Sequence, residues 1–118
     1  MYSDETLDLF KQIKHMGVLE GDDVLIGEVG NKYCGDIMRL FLRVHDGVIK
    51  EAKFKTYGCV AAILSMDVAC EMLVGMNSDE ALKITNEDVL ARMGDKIPAQ
   101  KVHCSLMAQD CIRLAILK

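Results

Sequence analysis

At 118 residues, half of them apolar, the chain has the length of one domain and can bury a core without staples. The net charge of −4 argues against nucleic acid as a main partner, because phosphate binding needs a basic surface; the longest apolar run, Val60 to Leu64, is far too short to span a bilayer. Five cysteines, an odd number with two of them inside predicted helices, and no secretory leader argue against a disulfide framework, so a soluble, cytoplasmic protein in a reducing compartment is expected.

Residues 2–16 predict an amphipathic helix, with Ser3 as N-cap, Asp4 and Glu5 in the first turn, Leu7, Leu9, Phe10 and Ile13 as the apolar side, and Gly17 as the stop. Val24-Leu25-Ile26 predicts a short strand whose end the glycines at 27 and 30 leave undefined. From Ile37 to Val44 the alternation is that of a half-buried strand: Met38, Leu40, Leu42 and Val44 face one way, Arg39, Arg43 and His45 the other, and Phe41 breaks the pattern. A second strand follows Asp46-Gly47, with Val48, Ala52 and Phe54 opposite Glu51, Lys53, Lys55 and Tyr57. A two-residue loop here would pair Val44 with Ile49 and set the two apolar rows on opposite faces. A three-residue loop, His45-Asp46-Gly47, pairs Val44 with Val48 and is therefore expected, with Gly47 in the left-handed third place.

Residues 60–74 predict a helix with Ile63, Met66, Cys70 and Leu73 on one stripe, ending at Gly75. Ser78 with Ala81-Leu82 begins a short helix, and Asn86-Glu87-Asp88 opens another that ends near Gly94. Pro98 breaks the chain before a last helix from about Ser105 to Leu117, with Leu106, Ala108, Ile112 and Ala115-Ile116 inward. Strands followed by helices imply an α+β fold: a small antiparallel β-sheet of about three strands with helices packed on one face.

Three places carry sulfur beside a polar neighbour at a turn or helix start: Cys34-Gly35-Asp36, Tyr57-Gly58-Cys59 and His103-Cys104-Ser105. A thiol over the first unpaired N–H groups of a helix is favoured as thiolate, which makes Cys59 fit to bind or attack. Iron and zinc both take thiolates, and Asp36 or His103 would supply a fourth ligand. There is no Cys-x-x-Cys, and the glycines fit ordinary turns equally well, so spacing alone leaves a metal centre and plain turns both open. Cys70 and Cys111 read as small core residues, and His15 and His45 receive no role. Arg39, Arg43, Lys53 and Lys55 give the hairpin a basic, solvated side. Gly30 to Gly35 has the glycine spacing of a phosphate loop, but Asp36-Ile37 stands where Lys-Ser/Thr is required. Adjacent residues diverge on a helix or a strand, so Cys104 and His103 make a poor nucleophile and base pair.

Cys34-Gly35-Asp36, Phe54-Lys55-Thr56-Tyr57-Gly58-Cys59 and Lys101-Val102-His103-Cys104-Ser105, in this order and at these separations, resemble the iron–sulfur cluster assembly scaffold family, the IscU type and the N-terminal module of NifU. The likeness runs from about residue 22 through Ser78-Asp79-Glu80-Ala81-Leu82 to the closing Ala108 to Ile116 helix. It implies a scaffold or carrier, not an enzyme: a [2Fe–2S] cluster is built on three cysteines with sulfur taken as persulfide from a cysteine desulfurase of the IscS/NifS type, and passed to apo iron–sulfur proteins. On this resemblance Cys34, Cys59 and Cys104 match the ligands, and Asp36 the aspartate that ligates the cluster or keeps it exchangeable. His103 matches the histidine beside the third cysteine, Cys104 the sulfur acceptor, and Lys101 a lysine near the site. Whether Asp36 or His103 is the fourth ligand, and whether a homodimer shares one cluster, are open at this point.

A carboxylate or imidazole is a more labile partner for iron than a fourth thiolate, which suits a cluster that must leave; Zn²⁺ fits the same donors when iron is absent. An alternative reading is therefore a zinc-binding sulfur acceptor that serves a desulfurase. The family's Leu-Pro-Pro-Val-Lys appears as Ile97-Pro98-Ala99-Gln100-Lys101, so the resemblance does not extend to docking of a dedicated Hsp70-type chaperone. Val60 follows Cys59 where glycine or alanine is common, and Lys14-His15-Met16-Gly17 replaces an Asn-Pro segment. Histidine before Cys104, with no insertion between the second and third motifs, favours the IscU type over the SufU type.

Overall fold

The computed structural model describes residues 13–31, 36–58, 60–93 and 103–117; positions 31, 36, 60, 61, 93 and 103–106 are described by backbone alone. The sheet has three antiparallel strands in the order β1 (Val24–Asn31), β2 (Asp36–His45), β3 (Val48–Tyr57). Helices α1 (Val60–Leu73), α2 (Ser78–Leu82), α3 (Asn86–Met93) and α4 (His103–Leu117) follow, as the order of sequence patterns implied. No helix among the described residues is long and apolar enough to cross a membrane.

The β2–β3 turn corrects the expected three-residue loop. Asp46 and Gly47 both have positive φ, 55° and 75°, which makes a two-residue turn of the primed kind that suits strand twist. His45 pairs with Val48 and Val44 with Ile49, the register that would misalign the apolar rows. A bulge repairs it: Arg43 pairs with Glu51, so Lys50 is the extra residue, and beyond it Leu42 meets Ala52 and Leu40 meets Phe54. Ile49, not Val48, therefore joins Ala52 and Phe54 in the core, and the adjacent Lys50 and Glu51 are both exposed.

β1 also runs further than Val24-Leu25-Ile26. Gly27 does not end the strand but permits a close approach, because a Cβ there would stand 2.3 Å from the Cys111 carbonyl oxygen and 2.7 Å from the Ala115 nitrogen. The backbone of α4 thus lies directly on that of β1.

Residues 1–12 lie outside the described residues, and the helix expected to continue to residue 16 does not: residues 13–15 are irregular and Met16 forms a bridge with Phe54. The reason is the free edge of β3. Phe54 N–H donates to His15 O (2.9 Å) and Gly17 N–H to Phe54 O (2.8 Å), so the segment satisfies edge groups that a helix would leave bare. Lys14 and His15 N–H both donate to Asp67 Oδ1 on α1, at 3.0 and 2.8 Å. The His15 ring sits between Ala52 O (3.2 Å) and Glu71 Oε2 (2.7 Å). The chain then crosses the open face of the sheet, where Gly17 lies against the Lys53 side chain and Glu20 O accepts from Arg43. Phe41, cross-strand from Lys53 and out of step with the buried row Leu40 and Leu42, is itself only 4% exposed.

α1 is buried over more than the expected stripe: Ala62, Leu64, Ser65, Met66, Val68, Ala69, Cys70 and Leu73 are all inside, while Ile63 is only partly so. It packs against β3, α3 and α4 at once, so most of its circumference is core. The caps lie one residue before the predicted helix starts. Asn77 and Glu80 form a capping box on α2, and Thr85 and Asp88 exchange the equivalent bonds at α3. α4 starts two residues earlier than expected and buries Met107, Ala108, Cys111, Ile112 and Ala115.

The basic side of the hairpin is partly neutralised. Arg39 pairs with Glu28 (2.8 Å), and Arg43 with Asp23 (2.6 Å) and Glu51 (2.9 Å); His45 also reaches Asp23 (2.8 Å). The guanidinium of Arg43, hydrogen-bonded to Asp23, holds its carboxyl below the usual carboxylate range. A depressed value stabilises the fold above the unfolded pKa of about 3.9, and the contribution is lost as pH falls through the lower folded value. Asp23→Asn should lower the urea midpoint at pH 7, and its gap to wild type should narrow as pH falls below about 3.9, the unfolded value. Gly27→Ala should cost about 2–3 kcal/mol in urea unfolding, because helix backbone cannot yield as a flexible side chain would.

Candidate functional site

One end of the sheet collects three chain passages. Asn31 and Asp36 are the last pair of β1 with β2, and Ile37 and Tyr57 the last pair of β2 with β3. Residues 32–35 therefore connect strands at the same end where Gly58 leads out of β3 toward Val60, the first residue of α1. α4 is aimed there too. Ala115 and Cys111 lie over Gly27, and the Cys111 thiol donates to Met38 O at 3.4 Å. Met38 is two residues from Asp36, so travel from Ala115 toward the start of α4 is travel toward that end; His103 is eight residues beyond Cys111, about 12 Å of helix.

The expected site residues fall on these passages, mostly beyond what is described. Cys34 and Cys59, and Lys101, lie outside the described residues. Asp36 is the first residue of β2, and His103 and Cys104 are the first two of α4, each described by backbone alone. Ile97-Pro98-Ala99-Gln100 also falls outside. Among the described side chains, no three of His, Cys, Asp or Glu are grouped so as to hold a metal ion.

The two cysteines read as core are core. Cys70 and Cys111 are fully buried free thiols. Burial pushes the Cys70 thiol well above its ordinary value, and burial pushes Cys111 up to about 12, so neither offers a thiolate near neutral pH.

Sequence reasoning missed two features near this end. Thr56 Oγ1–H donates to Ile37 O at 2.7 Å, across the last rung of β2 and β3. Its signal was a threonine closing an otherwise apolar inward row, Ala52, Phe54, Thr56. The second is His15, which ties the N-terminal segment to Glu71 of α1 and to β3. No periodic pattern announces such a tie.

The profile of the NifU-like N-terminal domain matches residues 1–118. The chain belongs to this family. The iron–sulfur cluster assembly scaffold protein IscU 1 of Archaeoglobus fulgidus is 44% identical over 117 residues, which are 99% of this chain and 75% of that protein. IscU of Escherichia coli, also named an iron–sulfur cluster assembly scaffold protein, is 38% identical over 118 residues, 98% of this chain and 91% of that one. The NifU-like N-terminal domain from Brucella abortus superposes with a TM-score of 0.74 over 98% of this chain and 92% of its own, and at 19% identity it shows the shared fold. The α+β expectation of a small antiparallel sheet under helices is thus the architecture of the NifU-like family.

Alkylation of the folded protein at pH 8 with iodoacetamide should leave Cys70 and Cys111 unmodified, and unfolding in urea should release both. Peptide mass mapping reads the two thiols separately from the other three.

Proposed function

We propose that this NifU-like protein is a scaffold on which a [2Fe–2S] cluster is assembled as cargo and then handed to apo-proteins. Cys34, Cys59 and Cys104 supply the thiolates, and Asp36 or His103 the exchangeable fourth donor. The observation that carries the reading is the common destination of the described backbone. The β1–β2 connection, the exit of β3 into α1 and the start of α4 lead to one end of the sheet, and each passage holds one of the three cysteines. Relatives at 44% and 38% identity that carry the scaffold name support it.

The chemistry follows from the placement of each group. Cys59 immediately precedes α1 and Cys104 stands in the first turn of α4, where unpaired N–H groups favour the thiolate needed for iron or for sulfur. In sulfur transfer from a cysteine desulfurase, the Cys104 thiolate attacks the outer sulfur of the donor's persulfide and the donor cysteine leaves as thiolate. Reduction of that sulfur to sulfide takes two electrons from a separate reductant. A carboxylate or imidazole on iron exchanges more readily than a thiolate, which leaves one position through which an acceptor's cysteine can begin to take the cluster.

Anaerobic reconstitution with iron and sulfide should give visible charge-transfer bands and roughly two irons and two sulfides per cluster. Cys34→Ala, Cys59→Ala and Cys104→Ala should each lose the bands, and Cys70→Ala and Cys111→Ala should keep them. Equal loss in all five would remove the assignment, and bound zinc with a persulfide on Cys104 but no cluster would make the protein a sulfur acceptor instead.

A further inference from the structure

Thr56 stands in the motif that precedes Cys59 and is not a candidate ligand. Alternation places it at the end of the helix-facing row Ala52, Phe54, Thr56, paired across the sheet with the buried Met38. Valine would fill that place with the same shape and a higher strand preference; what threonine adds is a hydroxyl. That hydroxyl donates to Ile37 O at 2.7 Å. A carbonyl has two lone pairs, so the bond can add to the ladder without replacing a rung.

The location gives the bond its meaning. Ile37 and Tyr57 form the final pair of β2 and β3 among the described residues. Cys34 lies three residues before Ile37 and Cys59 three after Thr56. Packing does little for this rung from the other face, since Tyr57 is 76% and Ile37 44% exposed. Among the described residues, the Thr56 hydroxyl is the one side chain that bonds β3 to β2 at this end.

We propose that Thr56 is a positioning residue for the cluster site, its hydroxyl pinning the rung from which the Cys34 and Cys59 segments depart. This rests on the reading of the site given above. Slack at the rung passes to both thiols together, so loss of the hydroxyl weakens the metal-bound state beyond any loss of fold stability.

Co²⁺ alone serves as the probe, because it takes the same thiolate donors and reports them as thiolate-to-cobalt charge-transfer bands. Under anaerobic titration, Thr56→Val should weaken Co²⁺ binding about tenfold, the scale of one hydrogen bond lost from the bound state. Thr56→Ser should restore nearly wild-type binding. Thr85→Val removes a hydroxyl bond to Asp88 N–H at the start of α3 and is the control for stability alone; its Co²⁺ affinity should match wild type. Thr56→Ala carries the same comparison if the valine variant does not fold. Thr56→Val binding as tightly as Thr85→Val, or Thr56→Ser binding as weakly as Thr56→Val, overturns the role of Thr56. A wild type without thiolate bands overturns the site reading beneath it; bands that the Cys34, Cys59 or Cys104 variants abolish and Thr56→Val leaves untouched overturn Thr56 alone.

Discussion

The backbone contact between α4 and β1 at Gly27 is the constraint on which the rest of the structure depends. Most helices meet a sheet through side chains, which leave room for the helix to slide and tilt. Here the Cys111 carbonyl and the Ala115 amide lie where a Cβ would be, so the helix is set against the strand with no side chain between them. The Cys111 thiol adds a second tie, to Met38 O on the neighbouring strand. Two fixed points on one helix define a direction, and this one leads to the end where Asp36 begins β2 and Tyr57 closes β3. A change in crossing angle at Gly27 would be multiplied along the remaining length of α4 before it reached His103 and Cys104.

The same contact separates two kinds of cysteine along one helix. Cys104 stands in the first turn of α4 and Cys111 two turns further on, just as Cys59 immediately precedes α1 and Cys70 lies within it. The thiols inside the helices are desolvated, and burial drives them toward the neutral form; a thiol at a helix start faces unpaired N–H groups that favour the anion. Each of the two helices brings sulfur to the core as a small apolar filler and carries a second sulfur at its start.

Much of this was legible in the amino-acid sequence, and the parts that were not have definite physical reasons. The alternation from Met38 to Leu42 reads directly as a strand because one face is buried, and the later helices are marked by their capping residues. The hairpin register was hidden by a trade. The Asp-Gly turn takes the conformation it favours locally, and the bulge at Lys50 absorbs the resulting slip; neither choice is visible without the other. Gly27 reads as a strand end in sequence because its cause, the helix backbone, lies more than 80 residues away. The N-terminal segment was misread because Asp67, Phe54 and Glu71 offer it hydrogen bonds that no local pattern records. The candidate site was the reverse case: its three motifs are plain in sequence, while the side chains of Cys34, Cys59 and Cys104 fall outside what is described.

Among the described residues, the two ends of the sheet are tied by different contacts. At the hairpin end, Arg43 joins Asp23, Glu51 and the Glu20 carbonyl, and Ile49 exchanges backbone bonds with Met76 and Gly75. That end binds the N-terminal crossing, the sheet and the loop after α1 into one unit. At the other end Tyr57 is largely in solvent, and among the described residues the Thr56 hydroxyl adds a side-chain bond to the ladder between β2 and β3. A scaffold for iron–sulfur cluster assembly needs a fold that persists whether or not its site is filled. Among the described residues the core closes around Phe54 and Met38, both fully buried on rungs that precede the Ile37 and Tyr57 pair, so the packing of the sheet is complete before its end is reached.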